Sequence, residues 1–283
     1  MPIRITIAAV LVVLLSLCAL AQTSGLIANA DASFDRWSGG FSFSAYEAQL
    51  RNALALYEEA LPTIDPSASQ TKSYVLGRLA QGYFELGMAY LTDRDKQEEA
   101  YAKGKNYALA SLRLNPAFVE AEKDSFRAAL GSASDVKAIF WYGNNLGRYL
   151  NFHPLTALSG GMRDVQASFE RAIELDPTYL GGGPWRALGS FLAQVPTFMG
   201  GNQDDAQRAF SNAATIDHTF IENYIDDAEY IAKPAKDWAH FCSQISLALA
   251  AGANQETMAA WPLYNALALH RAQDLAADHP CGN

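Results

Sequence analysis

The stretch Gly181–Phe210, GGGPWRALGSFLAQVPTFMGGNQDDAQRAF, carries clear local signals of helix starts and ends, because two glycine-rich breaks enclose one helical segment and open the next. Pro184 suits the first turn of a helix, where its missing N–H group leaves no hydrogen bond unmade. Apolar side chains then recur at the spacing of one helical face: Trp185, Leu188 and Leu192. Pro196 ends this segment, and Asn202 can cap the next helix through its side chain. The stretch therefore predicts a helical hairpin.

Helical periods continue along the rest of the chain from Ala45 onward. Turn clusters separate the periodic segments, and runs of alternating β-branched residues are missing. The sequence therefore predicts an all-α protein. Helices are predicted over residues 45–64, 72–91, 97–115, 119–130, 134–151, 162–175, 184–195, 203–216, 219–232, 235–251 and 255–277.

Three helix ends repeat one pattern, in which an acidic or amide residue is followed by a proline or histidine and then by an aromatic residue. These ends are Asn115–Phe118, Asp176–Tyr179 and Asp217–Phe220. Leu-Gly pairs recur at matching places in the preceding helices: Leu86-Gly87, Leu146-Gly147 and Leu188-Gly189. Self-similarity of this kind is typical of repeat proteins, and the pattern resembles the tetratricopeptide repeat. We expect a right-handed solenoid of helical hairpins that forms a single repeat domain over residues 45–283.

Residues 1–21 have the pattern of a secretory signal peptide, with a positive charge at Arg4, an apolar run and an A-x-A cleavage site. The apolar run is shorter than the roughly 20 residues that span a membrane. We expect cleavage after Ala21, a soluble periplasmic product and a partly irregular segment over residues 22–44. As an alternative, the sequence before Cys18 partly resembles a lipobox, although a leucine stands where lipoproteins prefer a small residue.

The charge balance and the absence of catalytic motifs exclude several classes of function. A formal charge of −9 and no basic run argue against a nucleic-acid partner. The chain has no H-E-x-x-H pair, G-x-S-x-G motif, Walker loop or dinucleotide fingerprint, so we predict no enzyme activity, no metal and no cofactor. The carboxylates of Asp226, Asp227 and Glu229 are expected to solvate the outer face of a helix.

Two cysteines remain if Cys18 is removed with the signal peptide. In an oxidising compartment, Cys242 and Cys281 are most simply a disulfide. A histidine lies two residues before each of them, at His240 and His279, so a zinc site is a second reading. Two free thiols are the third.

Two motifs stand out, KAIFWYGNNLGR at residues 137–148 and GGPWRALG at residues 182–189, together with PLYNALA at residues 262–268. These motifs resemble the TRAP transporter T-component family. The resemblance implies a periplasmic accessory protein of a tripartite ATP-independent periplasmic (TRAP) transport system that works with a substrate-binding P-component. Members of the family are often lipoproteins and can form trimers with a central pore. The alternative function is a cell-envelope scaffold that binds a protein or peptide and no small molecule.

In repeat solenoids the first helix of each pair lines the concave surface, so the register of the Leu-Gly pairs selects a set of cleft residues. The predicted cleft consists of Phe84, Met88, Trp141, Asn144, Arg148, Asn151, Arg186 and Ser190. Aromatic rings beside two arginines suit a small organic acid or another ligand with a hydrophobic body. Alternatively, the two arginines pair with Asp164, Glu170 or Glu222 as part of repeat packing.

Overall fold

The computed structural model describes residues 21–37, 40–279 and 281. Apart from Ala21, the predicted signal peptide and its Cys18 lie outside these residues. The all-α prediction is confirmed, since the described backbone contains helices and turns and no strand. The helices are α1 (residues 21–34), α2 (Phe43–Ala60), α3 (Ser69–Ala89), α4 (Arg94–Leu112), α5 (Pro116–Glu122), α6 (Phe126–Leu130), α7 (Val136–Leu150), α8 (Pro154–Thr156), α9 (Met162–Leu175), α10 (Tyr179–Gln194), α11 (Gln203–Ile216), α12 (Glu222–Asp227), α13 (Lys233–Ala235), α14 (Trp238–Gly252), α15 (Gln255–Ala260) and α16 (Pro262–Asp278).

The structure differs from the predicted helices in several places, among them the short helix α8, which the periods did not predict. The helix predicted over residues 119–130 is two short helices, α5 and α6, because Ser125 leaves the helical conformation and its side chain caps α6. The helix predicted over residues 255–277 is interrupted at Trp261, the residue before Pro262, where the α conformation is disfavoured. Within the segment 22–44, expected to be partly irregular, the residues up to 34 belong to α1, and no helix is found at residues 35–37 and 40–42.

The helices pack in chain order, and two of the repeated glycines make close contacts with the following helix. Helix α3 packs against α4, α4 against α7, α7 against α9, and α10 against α11. A Cβ atom on Gly87 would come within 2.8 Å of the Tyr101 ring, and one on Gly189 would come within 2.8 Å of the Phe210 ring. The Leu-Gly pairs of α3 and α10 therefore mark the points where an aromatic ring of the following helix sits directly on the backbone.

The glycine-rich start of α10 has a left-handed backbone before the regular helix begins. Leu180, Gly181 and Gly182 have φ angles of 51°, 59° and 77°, which lie in the left-handed region. Leucine rarely adopts this conformation, whereas the two glycines do so without steric cost. At the far end of the hairpin, the Asn202 side chain accepts hydrogen bonds from the N–H groups of Asp204 and Asp205, as predicted for an N-cap.

A buried ion pair connects the segment after α1 to helices α3 and α16. Arg36 pairs with Glu85 on α3, and both side chains are fully buried. Glu85 Oε1 also accepts hydrogen bonds from Gln81 Nε2 at 2.9 Å and from the Tyr264 hydroxyl of α16 at 2.5 Å. Four aromatic rings surround the Arg36 guanidinium: Phe34, Trp37, Tyr46 and Tyr264. The indole Nε1 of Trp37 donates to the Ala260 carbonyl at 2.7 Å.

Cys242 and Cys281 are joined by a disulfide, which ties α14 to the segment after α16. His240 Nε2 lies 3.0 Å from Asp227 Oδ1, and the His279 ring stacks on Trp238. These four side chains therefore do not form a common ligand set. Within residues 21–37, 40–279 and 281, no group of three or more His, Cys, Asp or Glu side chains is arranged to hold a metal ion.

Over the same described residues, none of the helices has both the length and the apolar character of a membrane span.

Candidate functional site

All eight residues of the predicted cleft line one cavity of about 180 Å³. Helix α3 contributes Phe84 and Met88, α7 and its last turn contribute four residues, and α10 contributes Arg186 and Ser190. The cavity also has a wall that the repeat register did not predict, formed by Glu222 and Asp226 of α12 together with Tyr264 of α16. The cavity is smaller than the ~300–1,000 Å³ of sites for drug-sized ligands, so it suits a small metabolite.

One side of the cavity is a fixed aromatic wall. The Trp141 ring lies 5.4 Å from the Phe84 ring and 4.9 Å from the Phe140 ring, centroid to centroid. Trp141 Nε1 donates to the Tyr179 hydroxyl at 3.0 Å. Because the indole N–H has this partner, the buried tryptophan presents only apolar surface to the cavity.

Arg186 is held tightly by the protein itself. Its Nη1 atom donates to Asn223 Oδ1 at 2.8 Å and to the Gly181 carbonyl at 3.3 Å, and its Nε atom lies 3.4 Å from Glu222 Oε2. The guanidinium also lies 3.7 Å above the Phe220 ring. Burial lowers the pKa of Arg186 against the opposing charge of Glu222. Of the two arginines, Arg186 therefore follows the packing alternative, with Glu222 as its partner.

The glycine-rich turn contributes directly to this arrangement. Its left-handed residues place the carbonyls of Leu180 and Gly181 within hydrogen-bond distance of the Arg186 guanidinium, at 3.4 Å and 3.3 Å. The turn and the arginine it binds lie five or six residues apart in the chain. The turn at residues 180–182 thus helps to position Arg186, a charged residue of the cavity lining.

Arg148 is in a different situation. Its side chain is exposed, and among the residues that the structure describes none forms a hydrogen bond or an ion pair with it. The other predicted partners are engaged elsewhere, since Asp164 pairs with Arg127 at 3.3 Å and Glu170 accepts from Gln166 at 2.9 Å. Arg148 is therefore the cation of this cavity that has donors to offer to a ligand.

Three further residues of the predicted cleft are polar. Asn144 uses its Nδ2 atom to donate to the Phe140 carbonyl at 2.9 Å. Asn151 lies at the end of α7 and is exposed. Ser190 donates from Oγ to Asp226 Oδ2 at 2.7 Å.

Glu222 and Asp226 form an acidic wall of the cavity. The expectation that Asp226, Asp227 and Glu229 solvate the outer face of a helix is therefore wrong for the residues that are buried. Asp226 and Asp227 are only 4% and 6% exposed. Asp226 lines the cavity, Asp227 contacts His240, and Glu229 lies 2.5 Å from Arg271 Nη2. Asp226 and Asp227 are adjacent in sequence and point in different directions, so their sequence pattern alone does not show that both are buried.

A different triplet carried the signal, since Glu222, Asp226 and Glu229 are spaced i, i+4 and i+7 and therefore share a face. All three meet Arg271 of α16, at 3.1, 3.0 and 2.5 Å. Burial and the neighbouring charge of Asp226 raise the pKa of Glu222, while the arginines nearby oppose the shift.

Comparison with known proteins agrees with the two motifs noted in the sequence. An uncharacterised protein of Treponema pallidum (strain Nichols) is 28% identical to this chain over 217 residues. The match covers 68% of this chain and 66% of the relative, which is just under two thirds of the relative's length. The profile of the TRAP transporter T-component family matches residues 87–280, which is more than half of the 283 residues. This chain belongs to the TRAP transporter T-component family.

Proposed function

We propose that this protein is a periplasmic accessory component of a TRAP-type transport system that docks the substrate-binding P-component and holds a small organic acid in its cavity. Family membership supports the role in TRAP transport. One observation carries the ligand-holding part: the cavity combines a fixed aromatic wall with Arg148, a guanidinium without a partner among the described residues. A guanidinium binds a carboxylate through two parallel hydrogen bonds, and the rings can cover the carbon skeleton.

The proposal includes the architecture expected from the repeats. We take residues 45–283 as one domain and the packed helix pairs as a right-handed solenoid of tetratricopeptide-like repeats. The close contacts of Gly87 with Tyr101 and of Gly189 with Phe210 support this arrangement. A crystal structure in which the helix pairs do not stack with a constant rotation would contradict it.

Location and assembly follow from the signal-peptide pattern and the family. We propose export through the cleavable signal peptide and assembly as a homotrimer. Amino-terminal sequencing of the exported protein would find Gln22 first, and a lipid on Cys18 would contradict this cleavage. Native mass spectrometry of the exported protein measures the number of subunits, and a monomer at all concentrations would contradict the trimer.

Replacement of Arg148 tests the ligand-holding role. We expect Arg148→Ala to weaken the binding of small carboxylates roughly 10- to 100-fold, since a charged hydrogen-bonded pair contributes about 1.5–3 kcal/mol. Isothermal titration calorimetry of ligand-free protein with a series of monocarboxylates of four to nine carbons measures the loss. Arg163→Ala is the matched control, because Arg163 is an exposed arginine of α9 that does not line the cavity. Equal affinities for Arg148→Ala and the control would rule out this role for Arg148.

The docking part rests on three exposed apolar side chains that we name the turn patch: Leu155 of α8, Leu158 between α8 and α9, and Phe198 between α10 and α11. They are 81%, 60% and 84% exposed. Leu155 and Leu158 directly precede α9, and a Cβ atom on Gly200, near Phe198, would lie 3.1 Å from Gln166 of α9, so all three lie beside the first half of that helix. Met162, in the first turn of α9, lines the cavity. A substrate-binding protein seated on the turn patch would therefore lie beside the cavity.

We expect serine at all three positions of the turn patch to weaken binding of the P-component at least tenfold, because the interface would lose the burial of three large apolar side chains, each contributing about 1.5–3 kcal/mol when fully buried. Surface plasmon resonance with the P-component of the same transport system measures the affinity. Leu247→Ser is the control, since Leu247 is 47% exposed on α14, a helix that contributes no residue to the turn patch. If the triple variant binds as tightly as the control, the docking surface lies elsewhere.

A further inference from the structure

The lining of the cavity carries charges of both signs. Arg148 of α7 contributes a positive group, and Glu222 and Asp226 of α12 contribute negative groups that we call the acidic side. Arg148 and the acidic side are close enough to interact, since the charge of Arg148 lowers the pKa of Glu222 against the stronger effects that raise it. A ligand in the cavity therefore meets a positive group and negative groups at the same time.

The acidic side carries an excess of negative charge. Counted over the described residues, the carboxylates of Glu222, Asp226 and Glu229 contact two guanidinium groups, those of Arg186 and Arg271. Asp217 adds a further carboxylate near Arg186, and its oxygens accept hydrogen bonds from Trp261 and from the Thr219 backbone and hydroxyl. Arg148 does not contact any of these acids, so the cluster itself is short of positive charge.

A simple anion satisfies only half of this cavity. Its carboxylate would pair with Arg148, but the same negative charge would approach the acidic side, where burial strengthens the repulsion. A simple cation meets the converse difficulty at Arg148. A molecule that carries both charges compensates both sides.

The acidic side also offers hydrogen-bond acceptors for all three N–H donors of an ammonium group. An ammonium has three N–H donors and no acceptor. The carboxylates of Glu222 and Asp226 and the hydroxyl oxygen of Ser190 provide three acceptors that line the cavity together. The raised pKa of Glu222 agrees with a cation being favourable here, because a positive ligand group would offset the cost of keeping that carboxylate ionised in a buried place.

We propose, building on the ligand-holding role above, that the cavity selects a zwitterion with one carboxylate and one ammonium group, an amino acid rather than a plain organic acid. The carboxylate binds Arg148, the ammonium binds Glu222, Asp226 and Ser190, and the carbon skeleton lies against Phe84 and Trp141. Helix α12 is then the element that determines specificity, and Arg148 supplies affinity that a plain acid would share.

Matched probe pairs that differ only at the ammonium group test this inference. The pairs are L-leucine with 4-methylpentanoate, L-phenylalanine with 3-phenylpropanoate, and 5-aminopentanoate with pentanoate, so the distance between the two charges also varies. We expect the amino acid of at least one pair to bind the ligand-free protein at least tenfold more tightly than its partner in isothermal titration calorimetry. Equal or tighter binding of the plain acid in all three pairs would overturn the inference.

Substitutions on the acidic side locate the preference. Asp226→Asn and Glu222→Gln keep the size of each side chain and should each reduce the preference for the amino acid at least fivefold. Glu229→Gln is the matched control, because Glu229 contacts the same Arg271 but does not line the cavity, and it should keep the preference. Circular dichroism and thermal melting confirm that each variant is folded. A preference that survives both cavity substitutions, or that Glu229→Gln removes equally, would contradict the proposed site.

The two proposals fail differently in these titrations. Binding of plain acids alone, lost in Arg148→Ala, leaves the ligand-holding role in place and refutes the zwitterion. Absence of binding by all six probes contradicts both.

Discussion

Replacing Arg36 with methionine lowers the free energy of unfolding by an expected 3–5 kcal/mol or so, because it leaves the Glu85 carboxylate buried without its counter-charge. Only the neutral donors of Gln81 and Tyr264 remain to it. The loss of the guanidinium from its cage of aromatic rings contributes a smaller part. Urea unfolding followed by circular dichroism measures the change. Arg51→Met is the control, since Arg51 and Glu47 form an ion pair on the surface and such pairs contribute at most about 1 kcal/mol.

A second variant separates the cost of the unpaired charge from the cost of lost packing. Glu85→Gln combined with Arg36→Met removes both charges and keeps a side chain of the same shape on α3. We expect the double variant to recover more than half of the stability that Arg36→Met loses. If the double variant is no more stable than Arg36→Met alone, packing around Arg36 and not the buried charge is what holds the segment.

The disulfide has the second large expected effect. Alanine at both Cys242 and Cys281 opens a loop in which the two residues are 39 positions apart. The chain-entropy relation gives a loss of about 4 kcal/mol for a loop of this length, because the unfolded chain gains freedom. Alanine is the suitable replacement, since serine would place a hydroxyl beside the apolar cluster that Cys242 contacts.

Chemical reduction provides an independent measurement of the same bond. Wild-type protein unfolded in urea with a reducing agent should match the double alanine variant without it. The variant itself should not respond to the reducing agent. A loss of less than 1 kcal/mol in the variant would mean that native packing, rather than restriction of the unfolded chain, keeps this end of the molecule in place.

Periodicity predicted most of this fold because helices on a shared core repeat their apolar residues every three or four positions. The same register placed eight side chains from three helices around one cavity. Helix α1 lies in the segment that was expected to be partly irregular, because serines and glycines there favour irregular structure. Ala30 and Phe34 are nevertheless buried and share a helical face with Thr23. There the pattern was present and was outweighed by composition.

Other features had no local signal. The partners of Arg36 come from α3 and α16, and a pairing across such distances leaves no period in the sequence. The acidic wall had a partial signal in the spacing of Glu222, Asp226 and Glu229. What the spacing cannot reveal is that Arg271, on another helix, would draw this face inward.

The bond between Trp37 and Ala260 has a consequence for the order in which the protein can be completed. In an ordinary repeat array each unit contacts only its neighbours, so units can form one after another as the chain emerges. Here Trp37 and Ala260 are 223 residues apart, and Glu85 and Tyr264 are 179 residues apart. The Arg36 cluster therefore stays incomplete until α16 packs against it. Contacts between residues so far apart in sequence slow folding, and they make the N-terminal and C-terminal parts of the chain fold as one cooperative unit.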